Sequence, residues 1–182
     1  MFRASAVSFA AVLALSVGAC DKKAPTSPPK PTTTTAAPAP ALPANLFLTA
    51  APADAKDVKD AKAAAKTGDT VVLTGRIGGS KEPFVPGRAL FTLVDGHLPA
   101  CGETSKEDDC ETPWDFCCEP RDTMTANTAT VQVVGPEGQP LKTSLENVQG
   151  LKKLAKVTIV GKVAKAEPGN LLIEATGIYV TQ

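Results

Sequence analysis

The sequence predicts a mainly β domain, a small five-stranded barrel with one helix between its third and fourth strands. Three observations lead there. Five short apolar segments follow one another between residues 70 and 180, bounded by Gly, Pro, Asp or Asn turn residues. One stretch with helical apolar spacing falls between the third and the fourth of them. Two of the segments, Val72-Leu73-Thr74-Gly75-Arg76-Ile77 and Thr158-Ile159-Val160-Gly161-Lys162-Val163, share a pattern with a mid-strand glycine. Glycine permits the sharp strand bend that a small barrel needs.

The N-terminus is set aside before the fold is read. Met1-Phe2-Arg3 carries one positive side chain, and Ala4 to Val17 is a nearly unbroken apolar run, short for a membrane span. It ends in Val17-Gly18-Ala19-Cys20, which resembles the lipobox of bacterial lipoproteins: an aliphatic residue, two small ones, then cysteine. The resemblance implies a signal peptide over residues 1–19, diacylglycerol on Cys20, and a membrane partner reached through the N-terminal lipid. It places the mature chain in the cell envelope, outside the cytoplasm. Asp21 resembles an inner-membrane retention signal of enteric bacteria; other lineages sort differently, so the inner and the outer membrane both stay open.

Residues 20–45 read as a tether rich in Pro, Thr, Ala and Lys, as in Ala24-Pro25-Thr26-Ser27-Pro28-Pro29-Lys30-Pro31. Such a composition buries too little apolar surface to fold. At ~3.1 Å per residue it reaches up to roughly 80 Å. Residues 46–69 form a lead-in segment with a helix expected over Ala53 to Lys66, started by Asp54 or Asp57 and stopped near Gly68.

The domain proper is expected over 70–182. Thr70 to Ile77 alternates, with Val71, Leu73, Gly75 and Ile77 on one face. Ala89 to Val94 is the second strand, closed by Asp95-Gly96, where Asp95 is expected to cap the turn. Ala129 to Val134, Lys156 to Ala164 and Leu171 to Val180 complete the set. The helix is expected from a capping box at Thr143-Ser144-Leu145-Glu146, with Leu145, Val148, Leu151 and Leu154 at helical spacing. This order is that of an OB-fold barrel. The chain from Thr70 resembles exported bacterial OB-fold proteins whose first strands read Val-x-Leu-x-Gly-x-Ile.

Many barrels of that kind bind single-stranded nucleic acid through aromatic platforms in a basic groove. Here 19 Lys+Arg balance 19 Asp+Glu, and Phe91 falls in register with the core face, so no nucleic-acid partner is expected. The distinctive part is an insertion over 98–123, between the second and third strands. It holds four of the five cysteines, the only Trp, and eight carboxylates against Lys106 and Arg121. Its Thr-Pro-Trp-Asp-Phe-Cys-Cys-Glu stretch resembles a motif of uncharacterised exported bacterial proteins, in which it also follows a Gly-Arg-Ala-x-Phe-Thr strand, here Gly87 to Thr92. That resemblance implies a shared domain and supplies no activity.

Two readings compete for Cys101, Cys110, Cys117 and Cys118. The favoured one is two disulfides, as suits an oxidising compartment. A bond between the adjacent Cys117 and Cys118 would close a strained ring, so each is expected to reach separately to Cys101 or Cys110. In an extended pair the two side chains point to opposite faces, and one shared metal would need a turn there. The alternative is a metal-binding or redox protein that uses these thiols, with a thiolate site for zinc, copper or an iron–sulfur centre and His97 as a further ligand. The spacing, eight and then six intervening residues, matches no CxxC knuckle and counts against zinc. Trp114 reads as the hydrophobic plug of the insertion, with an exposed anchor as the alternative, and Trp114, Asp115 and Phe116 form a candidate binding surface. No HExxH, nucleophile elbow or phosphate loop appears, so an enzyme is the least favoured class. The expected function is a lipid-anchored binding or interaction module for an unknown protein or small molecule, with no cofactor favoured. Substituting Cys20→Ser is expected to abolish incorporation of radioactive fatty acid, while the parent chain takes up label. An unlabelled parent would rule out the lipoprotein reading.

Overall fold

The computed structural model describes residues 41–104 and 110–181. The stretch expected to be a signal peptide, Cys20 and most of the expected tether lie outside the described residues, as do residues 105–109 of the insertion.

The protein is mainly β, a single six-stranded mixed sheet with short helices. A two-residue strand β1 (Lys56–Asp57) leads into helix α1 (Val58–Ala64). Then come β2 (Thr70–Ile77), β3 (Leu90–Val94), a 3-10 turn at Pro113–Asp115, and helix α2 (Arg121–Ala126). β4 (Thr128–Gln132), β5 (Lys156–Glu167) and β6 (Asn170–Val180) complete the chain. Pairing runs β1-β2-β3-β4-β6-β5, and β5 also pairs with β2, so the five long strands are linked in a ring. The pairs β1–β2 and β4–β6 are parallel; the rest are antiparallel.

The closing pair is the one between the two glycine-bearing segments. Thr70 to Arg76 runs against Lys162 to Lys156, with Val71 opposite Gly161 and Gly75 opposite Val157. Each glycine admits a neighbouring strand. A Cβ on Gly161 would stand 2.5 Å from the Glu174 carbonyl and 2.7 Å from Ile173 Cγ2. One on Gly75 would strike the Val94 carbonyl. At Gly161 the β5–β6 register also shifts, a bulge that bends the strand.

Inside the ring lies the main core, with Leu73, Ile77, Phe91, Leu93, Val131, Ile159, Ile173 and Ile178 fully buried. Phe91 is buried and packs on Phe84, as its core register requires. Leu46 is fully buried as well, and its segment docks along β6 through Leu48 N–H to Ile178 O at 2.8 Å. Leu42, within the stretch expected to be tether, already packs against this core. The domain therefore starts before Asn45.

Two expectations are corrected. The helix over 53–66 is shorter, seven residues, because Lys56 and Asp57 pair with β2 instead. Val58 and Ala61 form its buried face. The helix over 145–154 is absent: the segment is a chain of turns, with left-handed backbone at Asn147, Gln149, Gly150 and Leu154. Its four apolar residues do not share one face. Leu145 and Leu151 plug the main core, whereas Leu154 packs on a separate apolar cluster. The helix found between strands of the ring is α2 instead, placed directly before β4 and starting within the end of the insertion.

Helix α1 is held from outside its own sequence. Asp57 occupies its N-cap position without a side-chain capping bond. Buried Asp95 does that work: Oδ2 accepts the Lys59 N–H at 2.9 Å, while Oδ1 accepts the His97 N–H at 3.0 Å and closes the expected turn. Lys62 Nζ donates to the carbonyls of Thr125, Thr128 and Gly169, and burial pushes its pKa down. Gly161→Ala is expected to destabilise the protein by ~1–3 kcal/mol through overpacking. Gly96→Ala, where a Cβ meets open space, should change stability by less than ~0.5 kcal/mol. Urea unfolding reads both, and equal midpoints would remove the close-approach account of Gly161.

Candidate functional site

The insertion folds onto the outside of the ring at the end of β2. Gly78 and Gly79 make this possible. A side chain on Gly78 would run into the Trp114 carbonyl at 2.5 Å and the Phe116 ring at 2.8 Å, and Gly79 N–H donates to that same carbonyl at 2.8 Å. Under the loop is a second apolar cluster of Val94, Ala100 and Phe116, with Leu98, Met124 and Leu154 around it.

Arg76, on β2, clamps the loop. Its Nη2 donates to the Leu98 carbonyl at 2.7 Å, and its two terminal nitrogens grip both Glu103 oxygens at 2.6 and 2.9 Å. The guanidinium also lies 6.0 Å from the Phe116 ring centroid. Glu103 Oε2 in turn accepts the Ala100 N–H at 2.9 Å. The Arg76 pair, with that N–H, holds the Glu103 carboxyl below the usual carboxylate range. This clamp contributes fully above the ordinary carboxylate pKa and is lost as pH falls through the lowered one.

Four cysteines meet above this base. Cys101 is buried, Cys110 half-buried, and Cys117 and Cys118 are exposed. Cys101 Sγ lies 3.6 Å from Cys117 Sγ, and Cys110 Sγ lies 3.7 Å from it. Cys118 joins through hydrogen bonds to Cys101 from both its backbone N–H and its thiol. The adjacent pair is not extended. It sits inside a turn, opened by left-handed Phe116 and closed by Glu119 N–H to Phe116 O at 3.0 Å. A turn was the condition for both thiols to serve one centre.

Asp115 builds that turn. Its Oδ1 accepts the Cys117 N–H at 2.9 Å and its Oδ2 accepts the Thr112 hydroxyl at 2.7 Å. Burial pushes its carboxyl up, but these bonds and the nearby Lys81 charge outweigh it, and the net shift is downward. Burial likewise pushes the Cys101 thiol up. Hydrogen bonds from the Cys118 backbone and from the thiols of Cys118, Cys117 and Cys110 more than offset that. Cys117 is driven strongly upward by Cys101, Asp115 and Cys110. Sulfurs this close cannot all ionise unless a cation offsets their charge.

The remaining candidates divide. His97 does not join the cysteines. It is 81% exposed and lies beside Asp57 and Asp95, with Nδ1 at 3.4 and 3.2 Å from their oxygens. Among the described residues, Asp115 places an oxygen within 4.8 Å of the sulfurs of Cys101, Cys110 and Cys117, and these four groups could share an ion. Phe116 is no binding surface; at 1% exposure it is the plug. Trp114, expected in that role, is half-buried above it, with Lys153 Nζ 4.5 Å over its ring and Nε1 donating to Lys81 O. A separate cleft of about 690 Å³, lined by Phe47, Gln149, Lys152 and Tyr179 among others, includes none of the cysteines.

No known family model, curated protein or solved structure matches this chain. Its chemistry is therefore taken from its own residues. Phe116→Ala is expected to cost ~3–5 kcal/mol in the region it anchors, as an aromatic removed from a packed site. Trp114→Ala, which loses a half-exposed ring and a cation–π contact, should cost about 1 kcal/mol. Hydrogen exchange of the amides from 98 to 104 and from 113 to 118 distinguishes them, and equal effects would reject the assignment of Phe116 as the plug.

Proposed function

We propose that this protein is a lipid-anchored module of the bacterial envelope, displaying on an OB-like ring a thiolate site for a zinc-class metal ion. The single observation that carries the metal reading is the cluster of Cys101, Cys110 and Cys117, whose sulfurs and one Asp115 oxygen all lie within 4.8 Å of one another, with Cys117 Sγ 3.6 Å from Cys101 Sγ and 3.7 Å from Cys110 Sγ. Four sulfurs at ~2.3 Å from a tetrahedral ion stand ~3.8 Å apart, whereas a disulfide needs ~2.05 Å. The turn at Cys117-Cys118 supports the same choice. Sequence alone favoured disulfides; the geometry shifts the preference.

Asp115 is not needed as a ligand. Both its oxygens are engaged by the Cys117 N–H and the Thr112 hydroxyl, so it orients the cysteine turn, as outer partners of metal ligands do. Cys118 is not one of the close-lying set but hydrogen-bonds to Cys101, and we assign it the fourth position in place of Asp115. The OB-like reading is supported by the order of the ring, first-second-third-fifth-fourth, and by the two glycine-bearing strands that close it. The shift of the helix from the 145–154 segment to 121–126 departs from that pattern.

The test is metal uptake by fully reduced protein. One equivalent of Co²⁺ should give the intense visible and near-ultraviolet bands of a tetrahedral thiolate centre, and Zn²⁺ should displace it. Cys118→Ser and Cys110→Ser should each weaken uptake by more than the ~10–100-fold of an outer-shell change. His97→Ala should leave it unchanged. Reduced protein that binds neither ion sinks the metal reading.

A further inference from the structure

We propose, resting on the metal reading of the cysteine cluster, that the site is redox-gated. It holds its ion while the four cysteines are thiolates, and oxidation to Cys101–Cys118 and Cys110–Cys117 disulfides expels it.

The partition of the sulfurs comes first. Cys118 touches Cys101 through both N–H and thiol, and Cys110 Sγ stands 3.7 Å from Cys117 Sγ. Cys101 Sγ also lies 3.6 Å from Cys117 Sγ; the double contact from Cys118 is what assigns Cys101 to Cys118 and leaves Cys110 to Cys117, and neither pair is the strained adjacent one. Closing the Cys110–Cys117 pair from 3.7 Å to ~2.05 Å is a movement of under two ångströms.

The second feature is access. Each pair joins one exposed cysteine, Cys117 or Cys118, to one less exposed, Cys110 or Cys101. An oxidant from solution meets the exposed sulfur, and the inner one then resolves the mixed disulfide. That is the division of labour of an attacking and a resolving thiol.

The third feature is mechanical independence. The site rests on Val94, Ala100 and Phe116, a cluster separate from the core inside the ring. Arg76 and Asp115 fix its two arms by hydrogen bonds that do not involve a metal. The loop can contract around its sulfurs while the ring keeps its packing.

The chemistry balances with a small-molecule disulfide as oxidant. The Cys117 thiolate attacks one oxidant sulfur, and the other leaves as a thiolate. The Cys110 thiolate then attacks Cys117 and releases the second oxidant sulfur as a thiolate. Cys118 and Cys101 do the same with a second oxidant molecule. Four cysteine sulfurs lose four electrons in all, two oxidant disulfides gain them, and the divalent ion departs without a change in its own oxidation state. Added thiol and free ion reverse every step.

The experiment uses reduced, zinc-loaded protein treated with oxidised glutathione, with zinc release followed by a chromogenic chelator. The expected result is release of the bound zinc as two disulfides form, leaving a chain about four mass units lighter than the reduced apoprotein. Peptide mapping should join Cys101 to Cys118 and Cys110 to Cys117, while circular dichroism of the β domain persists. Dithiothreitol and zinc should restore the loaded form. In Cys110→Ser, oxidation should still join Cys101 to Cys118 and leave Cys117 as an unresolved mixed disulfide with glutathione, open to alkylation only after reduction. Zinc retained after all four thiols are consumed, Cys101 joined to Cys117, or chains cross-linked to one another would each overturn the gating. Failure of the reduced protein to take up zinc at all would instead strike the metal reading beneath it.

Discussion

The pairing of β2 with β5 is the constraint on which the rest of the structure depends. It turns a linear order of strands into a ring, and it does so between the two segments that carry a glycine in mid-strand. Side chains at Gly75 and Gly161 would collide with the backbones of β3 and β6. Absence of a Cβ at two points thus lets two further strands approach, and alternate residues of β2 and β5 then face a common interior. Leu73, Ile77, Val157 and Ile159 are fully buried because of that geometry. At roughly 1.5–3 kcal/mol per buried large aliphatic side chain, these positions outweigh any exposed ion pair in the molecule.

The same closure sets up the cysteine loop. β2 delivers Arg76 to the outer face and then runs into Gly78 and Gly79, which give the loop room to lie down. β3 ends at Val94, the floor of the second cluster, and Leu154 reaches that cluster from the segment before β5, its N–H bonded to the Ile77 carbonyl. Three separate parts of the ring therefore hold one loop. The Arg76–Glu103 pair is charge-assisted and bidentate, which fixes orientation as well as distance.

What could be read in advance follows from how local the signals are. The strand from Thr70 to Ile77 declares itself by alternation, and the Asp95 turn by the chemistry of an Asp-Gly pair. The parallel β4–β6 pairing and the docking of Leu46 along β6 leave no local trace, since they join residues far apart in the chain. The segment from Leu145 to Leu154 misleads for a definite reason. Spacing of three suits a helix, yet the same spacing serves turns that send Leu151 to one core and Leu154 to another. Asn147 and Gly150, both tolerant of left-handed backbone, were the available sign. In the insertion, the gathering of cysteines was legible and their arrangement was not. Whether Cys117 and Cys118 diverge or converge rests on the left-handed backbone at Phe116, a residue whose burial holds it there.

The location of the cysteines on a satellite of the fold bears on what a metal there would do. Where an ion organises the only core, as in small zinc-dependent domains, its loss unfolds the chain. Here the main core contains none of the four cysteines. Phe116, Arg76 and Asp115 shape the loop with packing and hydrogen bonds of their own. An ion bound at the proposed site would therefore find ligands already close to position, and its free energy would go into occupancy more than into folding. Exposed Cys117 and Cys118 would put such an ion at the surface, within reach of chelators, oxidants and other proteins. A buried tetrathiolate is a structural rivet, whereas one at the rim of a loop is suited to exchange. The placement of Cys101 alone in the interior gives that rim a fixed point from which the three outer sulfurs can close or part.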